Sequence, residues 1–130
     1  MSTSTDGQLC YGIELEDCGE LPWEDYDFED WYAQEILKID TSEMEYEERS
    51  KIYDSIKIDC LFHCCYDEPM HILYIKGTEL TASRGCPEHV DMADLSKAIT
   101  SESIVDLIKI ADMVYPEHEP AAWILSSMWG

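Results

Sequence analysis

Residues 56–76, IKIDCLFHCCYDEPMHILYIK, contain two strand-like runs separated by a turn signal. In the first run apolar and polar residues alternate, so that Ile56 and Ile58 share one face. The second run covers Met70 to Lys76, and the Asp-Glu-Pro sequence at residues 67–69 favours a turn between the two. We therefore predict an antiparallel hairpin here, and with it a β-sheet.

The rest of the chain adds strands and helices on both sides of this hairpin. Strands are predicted by period-two alternation at 8–15, 78–83 and 121–129, and helices by helical spacing of apolar residues at 28–39, 43–55, 91–98 and 101–114. This order predicts an α+β fold, with one mainly antiparallel sheet of about five strands and helices packed on one face. We expect the terminal strands to pair near one another. We also expect a single domain over 1–130, with the small, polar residues 1–7 disordered.

The charge of the chain is its most unusual property. It has 29 acidic and 8 basic residues among 130, a net charge of −21. Proteins bind nucleic acids and anionic membranes through a basic surface, so we expect this chain to bind neither directly. Basic proteins and multivalent cations are the natural partners. The first residues lack a secretory signal, no apolar run approaches the roughly 20 residues of a membrane span, and six cysteines fit reduced thiols, which together predict a cytoplasmic protein.

The acids are concentrated in the first half of the chain. Residues 14–30, ELEDCGELPWEDYDFED, contain no Lys, Arg or His, and their aromatic residues provide anchors that a disordered acidic tail lacks. We predict that this region and the acids of residues 43–48 form a surface that a partner recognises. Asp27 as helix cap, and the acids just after it, also have an ordinary role at a helix start. The candidate partner-binding residues are Glu16, Asp17, Glu20, Trp23, Glu24, Asp25, Glu29, Asp30, Glu43, Glu45, Glu47 and Glu48.

Cysteine and histidine spacing provides an alternative prediction. Cys60-x-x-His63 and Cys86-x-x-His89 match in spacing, and thiolate and imidazole are ligands that zinc prefers. Cys86 with a nearby histidine is also the one plausible nucleophile pair. Against the zinc site, positions three apart on a strand point to opposite faces. We therefore expect no metal, no cofactor and no catalytic residues, and keep a small zinc-binding or Cys/His catalytic domain as the alternative.

The final strand leaves a further alternative open. Trp123, Leu125, Ser127 and Trp129 would share one face of it. Core packing is the commoner reason for such a face, whereas an exposed face would mark an interface with a partner or a second copy. A homodimer is therefore a second, structural possibility for the chain.

Three segments carry a resemblance: LCYGIELEDCGELPWEDYDFEDWY (9–32), HCCYDEPMHILYIKGTELTASRG (63–85) and WILSSMWG (123–130). They resemble a functionally unassigned group of small acidic proteins encoded by bacteriophages and prophages. The resemblance implies a phage origin and action in the host cytoplasm, and it carries over no catalytic residues. By analogy with acidic phage proteins that act as DNA mimics or anti-CRISPR inhibitors, it favours a non-enzymatic protein that binds and inhibits a basic host protein, one that handles nucleic acid or defends the cell. A homo-oligomeric structural phage protein is the other expectation from this origin.

Overall fold

One open antiparallel sheet of five strands is combined with four helices in the part of the chain that the structure describes. This computed structural model covers residues 5–15, 21–23, 27–40, 42–65, 68–82, 87 and 89–129, with the backbone alone for residues 5–6, 62–65, 68–70 and 127–129. The elements are β1 Thr5–Glu14, α1 Phe28–Glu35, α2 Tyr46–Ser55, β2 Ile58–Cys65, β3 Glu68–Ile75, β4 Leu80–Ala82, α3 Met92–Ser96, α4 Ser101–Val114 and β5 Ala122–Trp129. The predicted α+β fold with a five-stranded antiparallel sheet is confirmed.

Strand β1 lies at the centre of the sheet. Along one edge it pairs with β5 over residues 5–12. Its other edge is shared, because β4 pairs with residues 7–9 and β3 with residues 12–14. The β2–β3 hairpin completes the sheet. The predicted proximity of the terminal strands is confirmed, and residues 5–7, expected to be disordered, lie in β1 because β5 holds them.

Thr78 connects the two strands that share one edge of β1. The chain leaves β3 through Gly77, which has a φ of +92°, and Thr78 is fully buried directly after it. The Thr78 hydroxyl donates to the carbonyl oxygen of Ile75 at 2.6 Å and accepts from the backbone N–H of Tyr11 at 3.1 Å. The Thr78 side chain therefore satisfies the Tyr11 N–H in the gap between the end of β3 and the start of β4. Strand β4 then pairs with β1 along the same edge as β3.

The first two helices are shorter than the sequence predicts. Helix α1 ends at Glu35, and the chain then turns through Lys38, which has a φ of +58°. Helix α2 begins at Tyr46, with Glu45 as its N-cap, rather than at Glu43. Two residues of the turn predicted at 67–69, Glu68 and Pro69, lie in β3 instead, and residue 67 lies outside the described part of the chain.

The core lies between the sheet and helices α1 and α4. Helix α4 begins with a capping box, in which Thr100 and Ser103 each bond the other's backbone N–H. Its buried face then contributes Leu107, Ile110 and Ala111. Burying each large aliphatic side chain stabilises the fold by about 1.5–3 kcal/mol. The cluster comprises Ile13, Leu15, Leu21, Trp23, Phe28, Trp31, Tyr32, Ile56, Ile58, Leu73, Ile75, Leu107, Ile110 and Ala111. Among the helices described, none is long and apolar enough to cross a membrane.

At Gly12 the backbone of β3 lies against β1 where a side chain would stand. A Cβ atom added there would lie 2.1 Å from the carbonyl oxygen of Leu73 and 2.8 Å from the Cα of Tyr74. Both of these atoms belong to the backbone, so the clash is relieved only if β3 moves. The pairing of β1 with β3 therefore requires glycine at this position.

We expect Gly12→Ala to lower the free energy of unfolding by roughly 3 kcal/mol, as overpacking in a rigid core does. Gly7→Ala is the matched control, because the nearest atom to its added Cβ is the Ala82 carbonyl oxygen at 4.0 Å. Its unfolding free energy should stay within about 1 kcal/mol of the original chain. Urea unfolding measures both, and equal effects would refute the close approach at Gly12.

Candidate functional site

Four of the predicted carboxylates lie together where α2 begins. Glu43 and Glu45 precede the helix, Glu47 and Glu48 lie in its first turn, and all four are exposed. Tyr46, in the middle of them, is 82% exposed, and α2 contributes no fully buried residue. We call residues 43–48, EMEYEE, the acidic ridge.

Local hydrogen bonds hold the chain at the acidic ridge. The Arg49 guanidinium donates to the carbonyl oxygen of Met44 at 3.1 Å. Just before the ridge, the backbone N–H and hydroxyl of Ser42 donate to the Asp40 carboxylate at 3.0 and 2.6 Å. These two bonds to Ser42, the hydroxyl first, lower the pKa of Asp40. The ridge carboxylates are therefore displayed on a backbone that is tied on both sides.

Glu29 and Asp30, two further predicted partner-binding residues, are used inside the fold. Lys76 at the end of β3 donates to the Glu29 carboxylate at 3.1 Å and to the Tyr53 carbonyl oxygen at 3.0 Å. The Tyr53 hydroxyl in turn donates to the Asp30 carboxylate. These bonds join α1, α2 and the sheet. Glu29 and Asp30 would have to give up these bonds in order to bind a partner.

We expect Lys76→Met to lower the free energy of unfolding by about 1–2 kcal/mol, because it removes the bond to the Glu29 carboxylate and one of the two hydrogen bonds that the Tyr53 carbonyl accepts. The Lys76 and Glu29 side chains are only 27% and 29% exposed. Lys97→Met is the control with the same change in charge, since the Lys97–Asp94 pair is 79% and 69% exposed. Its loss should stay below about 0.5 kcal/mol. Equal losses in thermal or urea unfolding would contradict this role for Lys76.

Trp23 is an anchor within the core. Its ring is 5% exposed and meets Phe28 edge to face, with ring centroids 4.9 Å apart, and Trp31 at 5.0 Å. Aromatic contacts of this kind add about 0.5–1.5 kcal/mol beyond burial. The ring thus fixes the segment before α1 rather than meeting a partner. The predicted residues Glu16, Asp17, Glu20, Glu24 and Asp25 lie outside the described residues and stay predictions.

Of the four alternative zinc ligands, the structure describes the side chains of Cys60 and His89. Strand β2 runs without a break through Cys60 and His63, and Cys60 is half-buried against the core. His89 is exposed, and Cys86 lies outside the described part of the chain. Among the residues described, no group of three or more His, Cys, Asp or Glu is placed to hold a metal ion.

A pair of ionisable residues on β2 and β3 was not singled out by the sequence. Asp59 lies opposite Tyr74 in the ladder, and both are half-buried. Burial raises the pKa of the Asp59 carboxyl, with smaller contributions from the Glu29 and Glu79 charges, and the Cys60 backbone N–H opposes the shift. Burial also raises the pKa of the Tyr74 phenol, and the neighbouring Asp59 charge adds to that shift.

Cys10 lies close to these groups and is 1% exposed. Burial, assisted by the charge of Glu79, raises the pKa of its thiol to about 11. A nucleophilic cysteine requires the opposite, a lowered pKa that provides thiolate near neutral pH. Cys10 is therefore a core residue and not a reactive thiol.

We expect Asp59→Asn to raise stability at pH 7. The folded pKa of Asp59 lies above its ordinary value of 3.8, so the carboxyl costs stability increasingly as pH rises from 3.8 to the folded value, and the full cost is present above it. Asparagine keeps the oxygen that accepts from the Cys60 N–H at 2.8 Å. The gain should shrink on acidification and vanish below about pH 3.8, where both states bind the proton.

The matched control is Asp54→Asn, which removes an exposed charge on α2 and relieves only general repulsion. Urea unfolding across the acidic range measures both variants. An equal gain in the two, or a loss in Asp59→Asn at pH 7, would contradict the cost assigned to burial of Asp59.

Tyr46 is the other feature that sequence reasoning missed. Its place inside EMEYEE, with an acid on either side, was the available signal. Comparison with known proteins adds no assignment: no protein-family model, no curated protein and no solved structure matches this chain.

Proposed function

We propose that this chain is a non-enzymatic, phage-encoded protein that binds and inhibits a basic host protein, one that handles nucleic acid or defends the cell. The acidic ridge is its principal contact. One observation carries the proposal: four exposed carboxylates surround a tyrosine that is 82% exposed, on a helix that contributes no fully buried residue to its own core. Surface that is not needed for folding is available for recognition.

The chemistry of the ridge suits a basic groove built for phosphate. Duplex DNA presents a negative charge about every 1.7 Å along its axis, and a dense run of carboxylates on a fixed backbone offers the same sign to the same lysines and arginines. The net charge of −21 would steer such a partner over a distance at low salt. Tyr46 adds a large, rigid side chain of the kind that dominates binding energy at interfaces.

The difference in hydrogen bonding between the acids of α1 and those of the acidic ridge also supports the ridge as the contact surface. The Glu29 charge is paired with Lys76, and the Asp30 carboxylate accepts a hydrogen bond from Tyr53. Within the described part of the chain the ridge carboxylates make no such bond, although Glu47 and Glu48 also favour the start of the helix. Glu43 lies before the helix, and the side chain of the N-cap Glu45 makes no capping hydrogen bond, which supports recognition as the use of these two acids.

The experiment compares two variants of equal charge. Glu43→Lys with Glu45→Lys, and Glu117→Lys with Glu119→Lys, each reverse two exposed acids spaced two apart in non-helical chain, and each changes the net charge from −21 to −17. The proteins are immobilised and used to capture binders from a bacterial lysate at low and high salt. We expect the original chain and the 117/119 variant to capture the same basic protein at low salt and release it at high salt.

For the 43/45 variant we expect affinity for that protein to fall at least about tenfold, because interfacial charge pairs couple strongly. Duplex DNA should compete with the original chain for the captured protein. Equal binding by the two variants, or binding that salt does not weaken, would refute the proposal. A stoichiometric metal found by elemental analysis would instead favour the zinc-binding alternative.

A further inference from the structure

The outer edge of β5 has hydrogen-bonding groups that point away from the sheet. In an antiparallel ladder the N–H and C=O of one residue point to the same edge, and successive residues alternate. The N–H groups of Tyr11 and Leu15 bond Thr78 and the His71 carbonyl on the β3 and β4 side of β1. The even-numbered residues of β1 therefore point towards β5.

The same alternation fixes the direction of the β5 groups. Ile124 and Ser126 pair with Cys10 and Gln8 of β1, so their backbone groups point inward. The backbone N–H and C=O of Trp123, Leu125 and Ser127 then point outward. Among the strands described, β5 pairs with β1 alone.

This edge lacks the usual protection against pairing with another strand. Natural proteins shorten their edge strands or place charges, prolines or bulges on them. Strand β4 is three residues long, and β2 carries Asp59. In contrast, β5 has eight residues, AWILSSMW, with neither charge nor proline. Leu125 near its middle is 76% exposed.

We propose that the free edge of β5 pairs antiparallel with β5 of a second copy of this chain. A two-fold axis perpendicular to the sheet joins two identical edges in this way and keeps each face continuous. With the axis at Leu125, the Leu125 residues of the two copies exchange two backbone hydrogen bonds. Trp123 then lies opposite Ser127 of the second copy.

A row of three leucines across the sheet indicates why the strand that pairs with β5 comes from a second copy of this chain. Leu80, Leu9 and Leu125 lie opposite one another across β4, β1 and β5, so they form one row on one face. Leu80 and Leu9 are half-buried, and the row ends at the exposed Leu125. In the symmetric pair the row continues directly into the same row of the second copy, which covers the exposed leucine with an apolar neighbour.

The distribution of charge also favours a second copy of this chain at the β5 edge. Two chains of −21 repel each other at most approaches. Residues 7–13 of β1, β4 and β5 contain no Asp, Glu, Lys or Arg, so this end of the sheet is where two copies meet at the least electrostatic cost. Salt screens the remaining repulsion, so the pairing should strengthen as salt rises. Binding through the acidic ridge should show the opposite dependence.

Sedimentation equilibrium of the full chain over a range of concentration and salt tests this inference. We expect the mass to rise from 15.0 kDa towards twice that value with concentration, and further at high salt. Leu125→Lys places a charge on the edge and should raise the dimer dissociation constant at least about tenfold. Val105→Lys is the control: it adds the same charge at a 63% exposed apolar residue of α4 and should dimerise like the original chain.

A second variant separates loss of pairing from loss of fold. Leu125→Pro removes an outward N–H that β1 does not use, and proline is tolerated at such edge positions. We expect it to stay monomeric with an unchanged circular dichroism spectrum. A mass of one chain at every concentration and salt, or dimers of both Leu125 variants equal to the original, would overturn the inference. The 43/45 lysine variant should still dimerise, so failure here is distinct from failure of the proposed function.

Discussion

The rest of the structure depends on the close contact of β1 with the strands on both of its sides. At Gly12 the backbone of β3 comes so near that no side chain fits, and beside it the Thr78 hydroxyl supplies a hydrogen bond where β3 has ended and β4 has not begun. Among the strands described, β1 is the one that pairs with β3, β4 and β5, so these two small residues lie where the parts of the sheet are joined.

The carboxylates of this very acidic chain lie in three different environments relative to the sheet. Where an acid meets a lysine, as Glu29 does, it joins helix α1 to the end of β3, and where it meets a phenol, as Asp30 does, it joins α1 to α2. Where it is half-buried in the sheet, as Asp59 is, its pKa rises because the charged form is poorly solvated, and the charge of Lys76 only partly opposes the shift. The acids of the ridge are in neither situation. A proposal about recognition rests on these differences in environment and not on the total charge.

The sequence predicted what depends on local pattern. The hairpin of β2 and β3, the existence of helix α4 and the alternation in β1 all follow from residue spacing, and the fold class follows from their order. The pairing of β4 with β1 depends on a buried threonine hydroxyl, and the early end of α1 on the left-handed conformation at Lys38. The structural use of Glu29 requires Lys76, 47 positions away. Contacts of this kind leave no periodic signal, so candidate acids in a loop and acids that support the fold looked alike.

The pairing of β1 with β5 has a consequence for how the chain is made. Thr5 pairs with Trp129, so the central strand obtains its partner on one edge only after 124 further residues have been synthesised. Until then β1, with Cys10 and Ile13 that are buried in the finished sheet, remains incomplete on the ribosome. Contacts this distant along the chain slow folding and expose apolar strands in the meantime. The large negative charge opposes aggregation at this stage, because incomplete chains repel one another until β5 has been made.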